Sequence, residues 1–294
     1  MIVITAPTSR IGHQLLPLLR AANVPVRVIV RNAEKLSPEI RRHAEVVEGS
    51  HGDAAIIDRA LKGATHLFWL CPANPKAASV DEAYVEFTRP AADAIKAHGV
   101  ERVVDITALG RGTPYADEAG YVTGSLAMDD LLAATGAHFR ALSMPSFMDN
   151  LLWQVPVMRN KGMFFSPIPG HLALPACSVS DIAAVAARFL LDDTWEGQAE
   201  VPVLGPEDLS FNQMAAIMSE VLGHKITCAP VDSDSYKTMF INQGFTEAMA
   251  DGMTDMARAK SRGLDLGVTR TPKTATPTSF RQWCETVLKP AFKN

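Results

Sequence analysis

The sequence predicts an α/β protein with a doubly wound parallel sheet and a smaller α+β lobe in its C-terminal part. Three observations predict this class. Short runs rich in β-branched residues alternate with segments whose apolar residues recur at helical spacing. Several of these runs are apolar throughout, which is typical of strands covered by helices on both faces. After about residue 150 the alternation loosens, which indicates a separate lobe. Strand–helix–strand repetition implies right-handed crossovers between parallel strands.

Each predicted element follows from a local pattern. Strands are predicted where apolar runs end in turn residues, at 2–5, 26–30, 45–48, 66–70, 102–106 and 138–142. Helices are predicted where apolar residues recur every three or four positions, at 11–19, 56–61, 85–98 and 126–134. Farther along, Ser180 and Ser210 precede helical patterns and are expected to cap them. Residues 233–260 suggest two more helices with methionine-rich faces.

Composition and charge exclude several classes of function. The 294 residues carry a net charge of −4, which gives no electrostatic reason to expect nucleic-acid or anionic-membrane binding. No apolar run approaches the roughly 20 residues of a membrane-spanning helix. The four cysteines lie far apart and form no CxxC pair, which argues against structural zinc and favours a reducing cytoplasm. We therefore expect a cytoplasmic monomer or homodimer whose partner is a small molecule.

The stretch "ITAPTSRIG" at residues 4–12 follows the first strand, where sheets of this kind bind phosphate groups. Ala6, Ser9 and Gly12 have the spacing of a GxxGxxG turn, but two glycines are replaced. Ala6 costs roughly 1 kcal/mol if the turn needs a positive φ, and Pro7 removes an amide donor. Ser9 adds bulk, although its hydroxyl can donate to a phosphate. Two interpretations stay open: a nucleotide-binding turn, or a plain turn with a serine cap.

A second clue follows the second strand. Arg31 and Asn32 come directly after "VRVIV". An acidic residue there would bind a ribose diol, whereas a cation accommodates a 2′-phosphate. The alternative is an exposed arginine at a strand end. Together with the turn, Arg31 favours NADP(H) over NAD.

Taken together, these stretches resemble the NmrA-like branch of the atypical short-chain dehydrogenases over almost the whole chain. The resemblance rests on "ITAPTSRIG", "VIVRNAEKL", "ERVVDITALG" and "FRALSMPSFMDNLL", with support from "VSDIAAVAARFLLDD" and "VLGPEDLSFNQMAAIMSEVLG". It implies a Rossmann-like NAD(P)-binding domain at residues 1–150 and a smaller substrate-binding lobe at residues 151–294 that interleaves with it. It also implies NADP(H) as cofactor, with either reductase activity or a redox-sensing role.

Carried over position by position, the resemblance implies the cofactor contacts. Those expected along the pyrophosphate and the 2′-phosphate are Thr8, Ser9, Arg10, Ile11, Gly12, Arg31, Asn32 and Lys35. Those expected near the two riboses and the nicotinamide are Cys71, Pro72, Ala73, Thr107, Ala108, Met144, Pro145 and Ser146. One departure stands out, because Ser50 occupies the position where the family usually has an aspartate near the adenine.

The catalytic set is incomplete. Short-chain dehydrogenases typically use a serine that polarises the carbonyl and a tyrosine whose pKa is lowered by a lysine four residues later. Thr107 can stand for the serine and Tyr121 for the tyrosine, but the lysine position is Ser125. Tyr121 is therefore expected to keep a pKa near 10 and to be a poor acid at neutral pH, or simply to pack at a helix start.

Reduction of quinones, dyes or activated alkenes tolerates this gap, because water can supply the proton. Our leading hypothesis is an NADP(H)-dependent oxidoreductase acting on a small apolar, quinone- or enone-like substrate. The helix after Pro145, Trp153 and the apolar faces of residues 236–256 would orient that substrate.

Two alternatives stay open. Ser125 motivates a non-catalytic NADP(H) sensor, and the altered turn with Ser50 motivates a cofactor-independent isomerase, cyclase or aldolase. No metal site is expected, because the histidines lack ligand spacing. Asp129 and Asp130 are expected on a solvated helix face.

Overall fold

The computed structural model describes residues 1–72 and 74–293. The strands are β1 (Ile2–Ile4), β2 (Val26–Val30), β3 (Ala44–Glu48), β4 (His66–Trp69), β5 (Arg102–Ala108), β6 (His138–Met144), β7 (Ser146–Phe147), β8 (Met163–Ser166), β9 (Ala173–Cys177), β10 (Gln198–Pro202), β11 (Asp208–Ser210) and β12 (Thr227–Pro230). The α-helices are α1 (Arg10–Ala21), α2 (Pro38–His43), α3 (Ala54–Leu61), α4 (Phe87–His98), α5 (Tyr121–Ala133), α6 (Val155–Lys161), α7 (Val179–Leu190), α8 (Phe211–Leu222), α9 (Ser233–Asn242), α10 (Glu247–Ser261), α11 (Phe280–Trp283) and α12 (Lys289–Lys293). The six predicted strands and the predicted helices of the first half are confirmed, with ends that differ by a few residues.

The main sheet has the strand order β10-β6-β5-β4-β1-β2-β3. β1 pairs in parallel with both β2 and β4, and β2–β3 and β4–β5 are parallel as well. Chain order therefore runs away from β1 in both directions. The carboxyl ends of β1 and β4 form a topological switch point, which is where open α/β sheets bind ligands. The predicted doubly wound α/β class is confirmed.

The chain forms two compact units, each made of several segments. Unit 1 comprises Met1–Ala108, Gly124–Ser143 and Ile182–Val201. It holds the main sheet, with a core of apolar strand and helix side chains that includes Val3, Trp69 and Leu132.

Unit 2 comprises Leu109–Thr123, Met144–Asp181 and Pro202–Asn294. It holds the three-stranded sheet β11-β9-β7 and the pair β12-β8, with a core that includes Phe164, Met218 and Trp283. The division into residues 1–150 and 151–294 stays a prediction.

Of the two helix N-caps predicted from the sequence, one is present in the structure and one is not. The predicted cap Ser210 is confirmed, because its hydroxyl accepts from the Gln213 amide and the Gln213 side chain accepts in return. The predicted cap Ser180 is wrong. Helix α7 begins at Val179, and Ser178 accepts a 3.2 Å hydrogen bond from the Asp181 amide. The two serines differ only in backbone position, which the sequence pattern does not reveal.

The segment 233–260 forms the two predicted helices, α9 and α10. Within residues 1–72 and 74–293, no helix is both long and apolar enough to cross a lipid bilayer.

Candidate cofactor and active site

The turn after β1 is anchored to the neighbouring strand. The Thr5 hydroxyl donates to the Phe68 carbonyl at 3.1 Å and accepts from the Leu70 amide at 2.8 Å. Thr5 is fully buried. This double contact joins the carboxyl ends of β1 and β4, so the turn starts from a fixed point at the switch of the sheet.

Ala6 adopts the backbone conformation that a glycine would have supplied. Its φ is +46°, and the only other non-glycine residue in the described chain with positive φ is Asn23. For an L-residue with a β-carbon this left-handed conformation costs about 1–2 kcal/mol. The turn therefore keeps a glycine-type geometry although the glycine itself is absent.

Ser9 caps helix α1. Its hydroxyl oxygen accepts a 3.0 Å hydrogen bond from the Gly12 amide, and its carbonyl accepts the first helical bond from the His13 amide at 2.9 Å. The amides of Arg10 and Ile11 precede that first helical bond, at the positive end of the helix dipole. A hydroxyl that accepts one hydrogen bond keeps its own proton for another acceptor.

Gly12 fits because it has no side chain. A β-carbon at this position would lie 2.6 Å from the carbonyl oxygens of both Ala6 and Pro7. The nearest atoms belong to the turn itself, so Gly12 packs closely against the turn. Because these neighbours are backbone atoms, any larger residue would displace the turn.

The residues after β2 form an exposed polar corner. Arg31 follows the strand directly and is exposed. The Asn32 side chain accepts a 2.8 Å hydrogen bond from the Glu34 amide and so caps the short 3₁₀ segment Ala33–Lys35. Lys35 ends that segment and is exposed. Their contacts with a 2′-phosphate stay predictions.

His51 is a feature of this corner that the sequence did not reveal. Its ring is buried edge-on to Trp69 and Phe87, with ring centroids 5.1 and 5.0 Å away, and its Nε2 lies 3.2 Å from the Leu70 carbonyl oxygen. Burial lowers the pKa of His51 to about 4, against a smaller raising effect of the Leu70 carbonyl, and the charge of Arg31 lowers the pKa further. His51 is thus a neutral imidazole that donates to Leu70 and lies within electrostatic range of Arg31. Its neighbour Ser50 accepts a 3.3 Å hydrogen bond from the Gly52 amide.

The loop after β4 contains Cys71 and Pro72, both half-buried, while Ala73 lies outside the described residues. The Cys71 thiol donates to the Ala83 carbonyl at 3.2 Å. Burial, and then the nearby Asp105, raise the pKa of the Cys71 thiol. Cys71 therefore stays a protonated thiol and is unsuited to act as a nucleophile.

The end of β5 carries a buried polar cluster. The Thr107 hydroxyl lies 2.8 Å from the Ser125 hydroxyl and donates to Asp129 Oδ2 at 2.9 Å. Asp129 is only 2% exposed, so the expectation of a solvated Asp129 is wrong, whereas Asp130 is exposed as expected. The signal was present in the spacing, because Ser125 and Asp129 are four residues apart and share one face of α5.

Asp105 extends this cluster. It lies two residues before Thr107 on β5 and is fully buried. Burial raises the pKa of Asp105 well above its ordinary range, and the adjacent carboxyl of Asp129 raises it further. Burial and the neighbouring Asp129 therefore favour the protonated form of Asp105.

Tyr121 begins helix α5 and belongs to unit 2. Burial, followed by the effect of Tyr236, raises the pKa of Tyr121 to about 12. The expected value near 10 is thus wrong, and the departure makes Tyr121 a still weaker acid at neutral pH. Its catalytic role stays a prediction.

The remaining predicted contacts lie at the ends of β5 and β6. Ala108 ends β5 and is half-buried. Met144 and Pro145 are buried, and Ser146 is half-buried at the start of β7. Within unit 2, the Met144 carbonyl accepts a 3.0 Å hydrogen bond from the Leu109 amide. Their positions near a nicotinamide stay predictions, as does substrate orientation by the strongly exposed Trp153.

Residues 8–193 match the family model described as NAD(P)H-binding. The chain belongs to the NAD(P)H-binding family. The NAD(P)-binding family that the resemblance implies is thereby confirmed. The matched range includes Ser9 and Gly12 of the turn, Arg31, Thr107 and the buried carboxyls.

Members and structural neighbours of this NAD(P)H-binding family include several reductases. The chain is 27% identical over 256 residues to an NAD(P)H azoreductase of Xenophilus azovorans, covering 87% of this chain and 86% of the relative. It is 27% identical over 289 residues to (4-alkanoyl-5-oxo-2,5-dihydrofuran-3-yl)methyl phosphate reductase of Streptomyces griseus, covering 96% of each.

Among solved structures, an NADPH-dependent quinone oxidoreductase from Escherichia coli in complex with NADPH superposes with a TM-score of 0.79. It is 22% identical to this chain, and the match covers 98% of this chain and 100% of that one. At this identity the likeness supports the Rossmann-like fold.

Proposed function

We propose that this chain is an NADPH-dependent reductase of small, conjugated, electron-poor acceptors such as quinones, enones and azo compounds. The turn after β1 carries the proposal. Ala6 holds a left-handed conformation, and Gly12 packs so closely that a β-carbon would lie 2.6 Å from the turn's carbonyl oxygens. Local backbone strain of this kind persists where surrounding structure and function require it. A plain turn would not need it.

The turn offers hydrogen-bond donors that suit a pyrophosphate. The first amides of α1 and the Ser9 hydroxyl proton are the groups that would hold the anion, with help from the helix dipole. Ser9 replaces one backbone donor by one side-chain donor, since its oxygen engages the Gly12 amide. When bound, the reduced nicotinamide would supply the hydride for the reduction.

The exposed cations after β2 support NADPH over NADH. Arg31 follows β2 directly, and Lys35 lies one short turn later. A guanidinium can hold a phosphate through two parallel hydrogen bonds. His51 is near Arg31 and is uncharged. It therefore neither repels the Arg31 guanidinium nor competes with it for the 2′-phosphate.

The class of hydride acceptor is inferred from the substrates named for the relatives, which share one chemical property. An azo bond, an unsaturated lactone and a quinone are all conjugated and electron-poor, and each accepts a hydride without a strong protein acid. Tyr121 has a pKa raised to about 12 and is not such an acid. In unit 2, Tyr236 and Phe245 each pack against Phe240, with ring centroids 4.9 and 5.0 Å apart, which offers apolar surface suited to a flat substrate.

Calorimetry on paired variants tests the cofactor. The wild-type protein should bind NADPH more tightly than NADH. Arg31→Gln should weaken NADPH binding by tenfold or more, which corresponds to about 1.4 kcal/mol, and leave NADH binding unchanged. Lys62→Gln is the matched control, because Lys62 is an exposed cation after α3 and before the amino end of β4. Equal affinity of the wild-type protein for both cofactors would contradict the 2′-phosphate assignment, and no binding of either would contradict the reductase.

Turnover separates the reductase from a sensor. NADPH oxidation should be measured with a benzoquinone, an azo dye and an enone. Reduction of at least one acceptor is the expected result. Tight NADPH binding without any turnover would favour the sensing role instead.

A further inference from the structure

Four buried side chains at the end of β5 form one continuous polar cluster within unit 1. Asp105 and Thr107 alternate along the strand and therefore share one face of the sheet. Ser125 and Asp129 lie one turn apart on α5 and face them. All four are at most 6% exposed. We call them the acid–hydroxyl cluster.

Counting protons assigns the direction of each hydrogen bond. Thr107 has one hydroxyl proton and donates it to Asp129. The 2.8 Å contact between Thr107 and Ser125 must then be donated by Ser125. Ser125, which stands at the lysine position, therefore donates a hydrogen bond to the Thr107 hydroxyl oxygen.

The two carboxyls require a shared proton. Within the described residues, neither oxygen of Asp105 accepts a hydrogen bond of ordinary geometry, and the Ile106 amide makes only a weak favourable contribution to the ionised form. The group beside Asp105 is the carboxyl of Asp129. In an apolar interior it is costly to ionise two adjacent carboxyls together, so the resting pair retains one proton between them.

This proton has two positions with different consequences for Thr107. With the proton on Asp105, Asp129 is a carboxylate and accepts from Thr107, as observed. With the proton on Asp129, Asp129 donates to Thr107 and the Thr107 proton is released toward another acceptor. Ser125 donates to Thr107 in both arrangements.

We propose that Asp105 and Asp129 are a proton store that acts through the Thr107 hydroxyl and replaces the missing tyrosine–lysine couple. The inference rests on the proposed reductase function and names the proton source of that same site. Thr107 would be the catalytic residue, since it would touch the substrate oxygen. Asp105, Asp129 and Ser125 act through it and are positioning residues.

The step balances in atoms and electrons. A quinone accepts a hydride, and hence two electrons, from the reduced nicotinamide, and its oxygen takes the proton of the Thr107 hydroxyl. The stored proton moves from Asp105 to Asp129, and Asp129 passes it to Thr107 as the O–H bond of Thr107 breaks and that of the product forms. Both carboxyls of the pair are then ionised until a proton is taken up. The carboxyl pair then regains one proton from water after product release.

Another titratable group beside the pair is Cys71, which follows β4. Its thiol has a raised pKa because of burial and the nearby Asp105, and it contacts Thr88 of α4. Cys71 is therefore uncharged and does not compete for the stored proton. Asp130 is exposed on the same helix and supplies a matched control.

Two acceptors with different proton demands test the proposal. Reduction of a quinone needs a hydride and a proton, whereas a triarylmethyl dye cation becomes neutral on hydride addition alone. Asp129→Asn should lower kcat for the quinone roughly 100-fold, as loss of general acid catalysis does, and leave kcat for the dye and the NADPH affinity unchanged. Asp130→Asn should change neither reaction. Equal slowing of both acceptors by Asp129→Asn would overturn the relay.

Infrared spectroscopy without cofactor gives a second readout. A protonated carboxylic acid has a carbonyl stretch separate from that of a carboxylate. The wild-type protein at neutral pH should show this band, and Asp105→Asn should remove it and also slow quinone reduction selectively. Asp105→Asn is the safer variant if Asp129→Asn does not fold, because an amide can donate to Asp129. Persistence of the band in Asp105→Asn would overturn the shared proton, and failure of the wild-type protein to reduce either acceptor would instead overturn the proposed function.

Discussion

The Ser9 hydroxyl accepts a 3.0 Å hydrogen bond from the Gly12 amide. This contact caps helix α1 and leaves the hydroxyl proton available to another acceptor. In the proposed reductase that acceptor is a phosphate oxygen of NADPH, so Ser9 would supply a side-chain donor at a position where the resemblance implies a glycine. Several consequences of this arrangement, and of the buried groups around it, are measurable.

Ser9→Ala should lower both stability and cofactor affinity. Loss of the cap should cost about 1 kcal/mol of unfolding free energy, measured by urea denaturation. Loss of the hydroxyl donor should weaken NADPH binding roughly tenfold. Ser37→Ala is the control, since Ser37 caps α2 by accepting from the Ile40 amide at 3.2 Å. It should cost stability only, and an unchanged NADPH affinity in Ser9→Ala would show that the hydroxyl does not contact the anion.

Ala6→Gly should stabilise the protein. Glycine removes the left-handed strain at φ +46°, which outweighs its larger unfolded-state entropy, for a gain of roughly 0.5–1 kcal/mol. Asn23→Gly is the matched comparison at φ +56° and should gain less, because asparagine tolerates this region. Gly12→Ala should have the opposite sign and cost about 1–3 kcal/mol, because its β-carbon meets backbone atoms. Destabilisation by Ala6→Gly in urea unfolding would contradict the strain.

His51 should make the protein acid-sensitive. Its pKa is lowered from 6.5 to about 4, chiefly by burial, so between these values the unfolded chain binds a proton that the native state does not. Stability should therefore fall as pH drops from 6.5 to 4, by about 3 kcal/mol in total from this group. His51→Phe should flatten this part of the stability–pH profile, whereas His13→Gln on the exposed face of α1 is the control. Parallel profiles for wild type and His51→Phe would refute the buried neutral imidazole.

Asp105 should make the protein less stable as pH rises, which is the opposite of the effect of His51. Its pKa is raised in the native state by burial and by Asp129, so above the ordinary carboxyl pKa the native state retains a proton that the unfolded chain releases. This group's contribution should decline by about 1.4 kcal/mol per pH unit until the native pKa is reached. Asp105→Asn should remove that slope and be more stable than wild type at alkaline pH. The measurement is urea unfolding from pH 5 to 9, and an unaltered difference between the two proteins across that range would count against a protonated Asp105.

Much of the fold could be predicted from the sequence because its strands are buried on both faces. Apolar runs such as residues 26–30 and 102–106 have few alternatives to a central parallel strand. Ser210 was identified as a cap because turn residues precede it. Ser180 was not the cap, because Ser178 lies two positions away and only backbone geometry distinguishes the two.

The candidate site was less accessible to sequence reasoning. Whether Ala6 would take up a left-handed φ depends on the anchoring of the turn, which involves Thr5 and the distant Phe68 and Leu70. Asp129 was assigned to solvent because two adjacent aspartates usually indicate a hydrated surface. Its burial depends on Thr107, 22 residues away, and on the face that α5 turns to β5. His51 carried no local signal, because its partners Trp69 and Phe87 come from other elements.

A crystal structure of the protein grown with NADPH would show whether the turn after β1 holds the cofactor's pyrophosphate. We expect electron density for the pyrophosphate within hydrogen-bonding distance of the Ser9 hydroxyl and the Ile11 amide, with the 2′-phosphate against Arg31. An ordered dinucleotide bound elsewhere, or a turn closed over the start of α1 with no space for phosphate, would contradict this expectation.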